Sequence, residues 1–249
     1  MFDLPPPLLA AVAATFFAAG FVKGVTGMGL PTVAMGVLGA LISPLTAASL
    51  LIVPSLVANI WQLLAGPSFG PLLRRLWPMM LAIAAGTVLG TSWLASGDTR
   101  LTTAALGGAL VLYSGYTLLA RQLSVAQRLE PWLSPVIGAV TGMVSGGTGV
   151  FVIPAVPYLQ ALGLGKDDLV QALCLSFTVS TVALAAGLGV RGVFQFDNLA
   201  LSALAIVPAL AGMGAGQVVR GRISPTAFRR GFLFCLLLLG VEMLARGLA

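Results

Sequence analysis

The longest polar stretch in this chain runs only from Arg121 to Glu130; elsewhere one apolar run follows another, parted by short glycine, proline or arginine links. A chain with that pattern cannot cover itself with polar groups. Only 8% of its residues are charged and 58% are hydrophobic, whereas a soluble domain carries roughly 25% charged residues. Lipid is therefore the solvent it is built for, and a helix needs about 20 apolar residues to cross a bilayer. The apolar runs are read as segments at 8–22, 28–42, 45–65, 77–94, 101–120, 132–144, 150–162, 169–190, 199–219 and 228–248. Little is left for loops and nothing for a soluble domain. The start, Met-Phe-Asp-Leu-Pro-Pro-Pro, has no positive n-region, so the first run is expected to be retained as a span.

Two glycine-rich stretches interrupt these runs at matching places. The first is Gly-Phe-Val-Lys-Gly-Val-Thr-Gly-Met-Gly at 20–29, and the second is Gly-Ala-Val-Thr-Gly-Met-Val-Ser-Gly-Gly-Thr-Gly at 138–149. Short segments follow both. Gly20 and Gly24 are matched with Gly138 and Gly142, and Gly86 and Gly90 with Gly212 and Gly216. The spacing predicts a first repeat over 1–120, a cytoplasmic connection at 121–131 and a second repeat over 132–249. Five segments per half is an odd number, so the second copy must be inverted. The fold class expected is all-α: a polytopic transmembrane helical bundle with two inverted repeats of about five segments. Each repeat carries a Gly-broken short or re-entrant helix pair.

Charge sets the orientation. Arg74, Arg75, Arg121, Arg128, Lys166, Arg220, Arg222, Arg229 and Arg230 fall on one side of the expected segments, and Arg100, Arg191 and Arg246 on the other. By the positive-inside rule the first group is cytoplasmic and both termini are periplasmic. This placement also accounts for the net charge of +6 without a nucleic-acid partner, and none is expected.

Chemistry is sparse. There is no histidine, and Cys174 and Cys235 sit singly inside apolar runs, where they behave as small hydrophobes. A zinc site or a histidine-based triad is excluded. Asp3, Asp98, Glu130, Asp167, Asp168 and Asp197 fall in loops or at span ends, and Glu242 lies four residues before Arg246, as in an interfacial ion pair. No catalytic residue, metal or cofactor is expected, so the chain is not read as an enzyme.

A helix broken at membrane depth frees N–H and C=O groups, which is tolerated where the break lines a cavity. The restarting helix presents N–H groups and about half a positive charge, which suits an anion. Paired Gly-interrupted short segments point to a transporter site. The candidate substrate-binding residues are Lys23, Thr26, Gly27, Met28, Gly29, Asn59, Gln62, Ser145, Gly146, Gly147, Thr148, Gly149 and Thr178. Each carries a plainer reading. The glycines also allow close helix packing. Lys23, the one basic residue inside an apolar stretch, either faces an anion or snorkels to the interface. Asn59, Gln62 and Thr178 either line a cavity or tie helices together.

These motifs, their duplication, the short segments after them and the basic loops resemble the TauE/SafE family of sulfite exporters over nearly the whole chain. The most specific parts are the stretch 20–29 with Pro31 and the stretch 138–149 with Pro154. The family pattern shows a fuller Gly-Gly-Gly run; here the copies read Gly27-Met28-Gly29 and Gly146-Gly147-Thr148-Gly149. The resemblance implies a transporter moving sulfite, an organosulfonate or a related sulfur oxyanion across the bacterial inner membrane. The residues alone reach only a transporter for a small anion; alternating access is the mechanism expected for the whole. An anion channel and a carrier of another small carboxylate or anion stand as alternatives. Expected partners are the anion and membrane lipid, and a homodimer is left open.

Overall fold

Proline, serine and aspartate set where helices start. In the computed structural model, which describes residues 6–96, 98–119, 124–193 and 196–248, Ser43 accepts a hydrogen bond from the Thr46 N–H and Pro44 takes the first position of a helix. That is the usual way to satisfy a free donor at a helix N-terminus. The chain forms α1 (Pro6–Thr26), α2 (Leu30–Leu41), α3 (Pro44–Ala65), α4 (Phe69–Leu94) and α5 (Thr99–Leu119). A 3₁₀ turn (Gln127–Leu129) leads into α6 (Glu130–Thr148), α7 (Ala155–Ala161), α8 (Lys166–Val190), α9 (Phe196–Leu204), α10 (Ile206–Arg220) and α11 (Pro225–Leu248). No strand occurs among the described residues. Asp3, Gly97 and Arg121, and with them the junction expected at 120–121, lie outside the described residues, as does the side chain of Asp197.

Among the described residues seven helices are long and apolar enough to cross a bilayer: Pro6–Thr26, Pro44–Ala65, Phe69–Leu94, Thr99–Leu119, Lys166–Val190, Leu199–Arg220 and Ala227–Leu248. The sixth of these joins α9 to α10 through Ala205, whose backbone is close to helical. The helices outside this set, α2, α6 and α7, are those that border the second glycine stretch or follow the first. Large apolar side chains such as Trp61, Trp93, Trp132 and Leu119 stand exposed around the outside, as a lipid-facing surface requires.

Several expected boundaries move. Helix α1 continues past Lys23 and Gly24 to Thr26, and α6 continues through Ser145, Gly146, Gly147 and Thr148. The breaks fall where backbone handedness changes, at Gly27 (φ 82°) and Gly29 (φ 104°) and at Gly149 (φ 70°). Residues with a Cβ avoid that region. The seventh segment, expected as a helix over 150–162, is non-helical at 150–154 and helical only over Ala155–Ala161. Val150, Val152 and Ile153 are β-branched, and Ile153 precedes Pro154, which disfavours a helical conformation. Arg74 and Arg75, placed in a loop by sequence, lie on α4, because Pro71 is in its first turn and Pro78 is accommodated within it.

Glycine decides which helices touch. Gly20 and Gly24 of α1 meet Gly212 and Gly216 of α10. A Cβ at Gly24 would collide with the Met213 carbonyl oxygen, and one at Gly216 with that of Phe21. The same device joins α6 to α4: Gly138 lies against the backbone of Met79, and Gly142 and Gly146 against the backbone around Gly86 and Gly90. Close backbone approach of this kind is how small residues hold helices together in lipid. Both pairs run parallel, since residue numbers rise together along each contact. Two further pairs run antiparallel: α3 with α8, where Ser55 faces Thr181 and Leu63 faces Gln171, and α5 with α11, where Gly107 meets Gly240 and Ala104 meets Gly247.

Candidate functional site

Lys23 lies on the last turn of α1, and its side chain is completely enclosed, with an exposure of 0%. It does not snorkel. Its Nζ donates to the Asn59 Oδ1 of α3 at 2.6 Å. That bond orients the amide, whose Nδ2 donates to Ser55 Oγ at 3.1 Å. Ser55 in turn shares a hydrogen bond of 3.3 Å with Thr181 of α8, and Thr181 donates to the Phe177 carbonyl. A polar chain therefore crosses from α1 through α3 to α8 inside an apolar core.

The ends of that chain carry no countercharge. Among the described residues the ion pairs are Arg75 with Glu130 and Arg246 with Glu242. An ammonium has three donors, and here the acceptor it meets is a neutral amide oxygen. Buried charges are otherwise paired with opposite charge or with a ligand; among the described residues no carboxylate is paired with Lys23.

Gln62, one turn beyond Asn59, accepts from Cys174 Sγ at 3.3 Å. Cys174 is thus a polar partner as well as a buried apolar side chain. One turn earlier on α8, Gln171 donates to the Leu63 carbonyl and accepts from the Ser68 N–H, closing the end of α3. Thr178 is only partly buried and donates to the Cys174 carbonyl, one turn back on its own helix. Asn59 and Gln62 therefore do tie helices together, and Asn59 also holds the cation.

The two breaks share one hydrogen-bond pattern. Thr26 Oγ1 donates to the Val22 carbonyl and accepts from the Met28 N–H; Thr148 Oγ1 donates to the Val144 carbonyl and accepts from the Val150 N–H. Each threonine ends its helix just before a left-handed glycine, Gly27 or Gly149. Laid over one another on these threonines, the two breaks set Gly20 and Gly24 beside Gly142 and Gly146, one turn from the match read in the sequence. Ser145 then stands where Lys23 stands. It is equally enclosed, and it donates to the Val150 carbonyl at 3.4 Å.

The remaining expected residues divide. Gly146 is occupied by helix packing, since a Cβ there would meet the Thr87 carbonyl oxygen. Gly149 sits against the Met35 side chain of α2, so the second break touches the short helix that follows the first. Gly27 lies beside Val170 and Gly29 beside Val22, while Met28 is buried at the turn between them. Gly147 and Thr148 border an apolar cavity of about 520 Å³ with Leu89, Trp93 and Leu112. A neighbouring cavity of about 450 Å³ is lined by Tyr113, Tyr116 and Tyr158 among others. Neither cavity includes Lys23.

Two contacts were not foreseen. Arg75 binds both carboxylate oxygens of Glu130 at 2.7 Å, joining α4 to the start of α6, and Ser134 shares a 2.7 Å hydrogen bond with Tyr158. Both join residues far apart in sequence, so no local pattern signals them. Among the described residues no group of three or more histidine, cysteine, aspartate or glutamate side chains is placed to hold a metal.

Bilayer-length helices packed through glycine seams around an enclosed cation define a multi-pass membrane protein with a polar centre. The profile of the sulfite exporter TauE/SafE family matches residues 12–243, and the chain belongs to that family. It is accordingly a membrane transporter of the sulfite and sulfonate exporter type, not an enzyme. No curated protein and no solved structure matches the chain.

Proposed function

We propose that this protein is a secondary transporter that carries a small sulfur oxyanion, sulfite or a C2 organosulfonate, across the bacterial inner membrane by alternating access. The observation that carries this reading is Lys23: a fully enclosed ammonium whose partner is the neutral oxygen of Asn59. A sulfonate or sulfite would supply the missing negative charge. The broken helix ends at Gly27–Gly29 and Gly149, with Thr26, Met28, Gln62, Ser145 to Thr148 and Thr178, form the surroundings in which it would bind and move. An enclosed site favours a carrier over an open anion pore.

The pairing of helices supports two inverted repeats, 1–120 and 132–249, joined by 121–131. Each half lends its first helix to the other half's fourth, as α1 on α10 and α6 on α4. The self-matching pairs, α3 with α8 and α5 with α11, cross antiparallel, as a two-fold axis lying in the membrane plane demands. The excess of basic residues at the start of α4, in the turn before α6, at the start of α8, at the end of α10 and in the first turns of α11 supports a cytoplasmic placement there, with periplasmic termini.

Binding to purified protein tests the site. Sulfite, thiosulfate, taurine, isethionate and sulfoacetate are compared by thermal shift, then by titration. Lys23→Ala should weaken the best ligand at least tenfold, about 1.4 kcal/mol. Unchanged affinity would remove Lys23 from the site. Saturable flux with counter-transport in proteoliposomes distinguishes the carrier from a channel.

A further inference from the structure

Hydroxyl side chains on these helices usually donate to the carbonyl one turn back. Thr15, Thr26, Ser49, Thr141, Thr148, Thr178 and Thr181 all do so. Thr87, Ser176 and Ser180 do not: their oxygens are fully buried and have no hydrogen-bond partner among the described residues. Burying a hydroxyl without a partner is unfavourable. The other two such groups, Thr32 and Ser114, sit on α2 and α5.

The three are not scattered. Ser176, Ser180, Gly187 and Arg191 follow one another at helical spacing along one face of α8. Gly187 packs on the Thr91 side chain of α4, and the Arg191 Nη1 donates to Thr91 Oγ1 at 2.8 Å. Thr87 is one turn below Thr91. Helices α3 and α4 are joined by a short turn and α8 runs against α3, so α4 and α8 run parallel. By helical spacing Thr87 continues the Thr91 line of α4 inward from Arg191, and Ser180 and Ser176 continue the Gly187 line of α8, and these two lines make the seam between α4 and α8. It lies on the face of α8 away from Gln171, Cys174 and Thr181, which meet α3. Arg191 is at the end of the bundle opposite the arginine-rich loops.

We propose that this seam is the limb of an anion path leading toward that end, with the Arg191 guanidinium as the cation at its mouth and the three unpartnered hydroxyls as donors to the passing oxyanion. The proposal rests on the transporter reading above and adds a second cation to Lys23. Donors of this kind are neutral, so they would guide an oxyanion without trapping it. The hydrogen bond from Arg191 to Thr91 closes the limb in the conformation described here.

A thiol-accessibility experiment on the full chain in proteoliposomes tests this without needing the substrate. In a background carrying Cys174→Ala and Cys235→Ala, Ser180→Cys and Ser176→Cys are each exposed to two methanethiosulfonates of similar size, one a sulfonate anion and one a trimethylammonium cation. The anionic reagent should modify Ser180→Cys at least about tenfold faster than the cationic one, as expected for a focusing charge at a path mouth. Arg191→Ala should bring the ratio to within about twofold of unity and Arg191→Lys should keep it. Val182→Cys, on the lipid-facing side of the same helix, should react with neither. The proposal is overturned if both seam cysteines are inert with either residue at 191, if Val182→Cys reacts equally, or if the ratio ignores Arg191→Ala. Retained sulfite affinity in Lys23→Ala would instead overturn the central site, and the thiol ratios still decide the seam.

Discussion

The Lys23–Asn59 pair makes a double-mutant cycle unusually informative, because one single variant should be clearly destabilised and the other should not. Asn59→Val removes the acceptor and leaves the enclosed ammonium with nothing in its place. A hydrogen bond to a charged group is worth about 1.5–3 kcal/mol, and the stranded ion bears its full desolvation penalty. Lys23→Met removes the ion itself. A lysine at membrane depth is disfavoured by about 2.5–3.5 kcal/mol on insertion scales, which roughly offsets the lost bond. Replacing both partners with apolar groups should be neutral or stabilising, as for other buried polar pairs. Melting of the detergent-purified protein, without added anion, reads the cycle. At about 2–4 °C per kcal/mol, Asn59→Val should melt roughly 4–12 °C below the parent. Lys23→Met and the double variant should melt within a few degrees of the parent or above it. A sulfur oxyanion should raise the melting temperature of the parent and not of either Lys23 variant. If Asn59→Val melts with the parent while the double variant melts below both singles, the uncompensated-cation argument is wrong.

The glycine seams and breaks give further tests. Gly146→Val drives a side chain into the Thr87 carbonyl oxygen and should abolish folded protein, whereas Gly214→Val, which meets nothing within 4 Å, should purify and melt like the parent; gel-filtration yield distinguishes them. Thr26→Val and Thr148→Val should each lower stability by about 1 kcal/mol, since each strips a helix end of its hydroxyl partner. Matching losses in the two melts would bear out the shared pattern, and a loss at one break alone would refute it. Glu130→Gln should lower the melting temperature and Arg75→Leu with Glu130→Leu should recover part of the loss, because a bidentate pair is broken in the first and removed in the second.

What was legible in sequence was local. Apolar run length announced the bilayer helices, and left-handed glycines announced the breaks to within a few residues. The pair Glu242 and Arg246, four residues apart on one helix, formed as expected. The breaks themselves were placed too early, because helix-capping threonines carry α1 and α6 one turn further than glycine content suggests. The non-helical 150–154 was also missed, since hydropathy does not distinguish an extended apolar strand-like run from a short helix.

The sequence by itself determined that lipid is this chain's solvent, that the chain breaks twice in glycine, and that it holds no histidine. The tertiary structure decided what its few polar groups do. One lysine near the end of an apolar helix can snorkel or be enclosed, and the helical period allows both. Enclosure followed because α3 brings Asn59 to Lys23 from 36 residues away, and because glycines let α1 and α10 approach backbone to backbone. Which helix faces meet is set by packing across the whole bundle, so no local rule could have shown that Lys23 would be enclosed against a neutral amide.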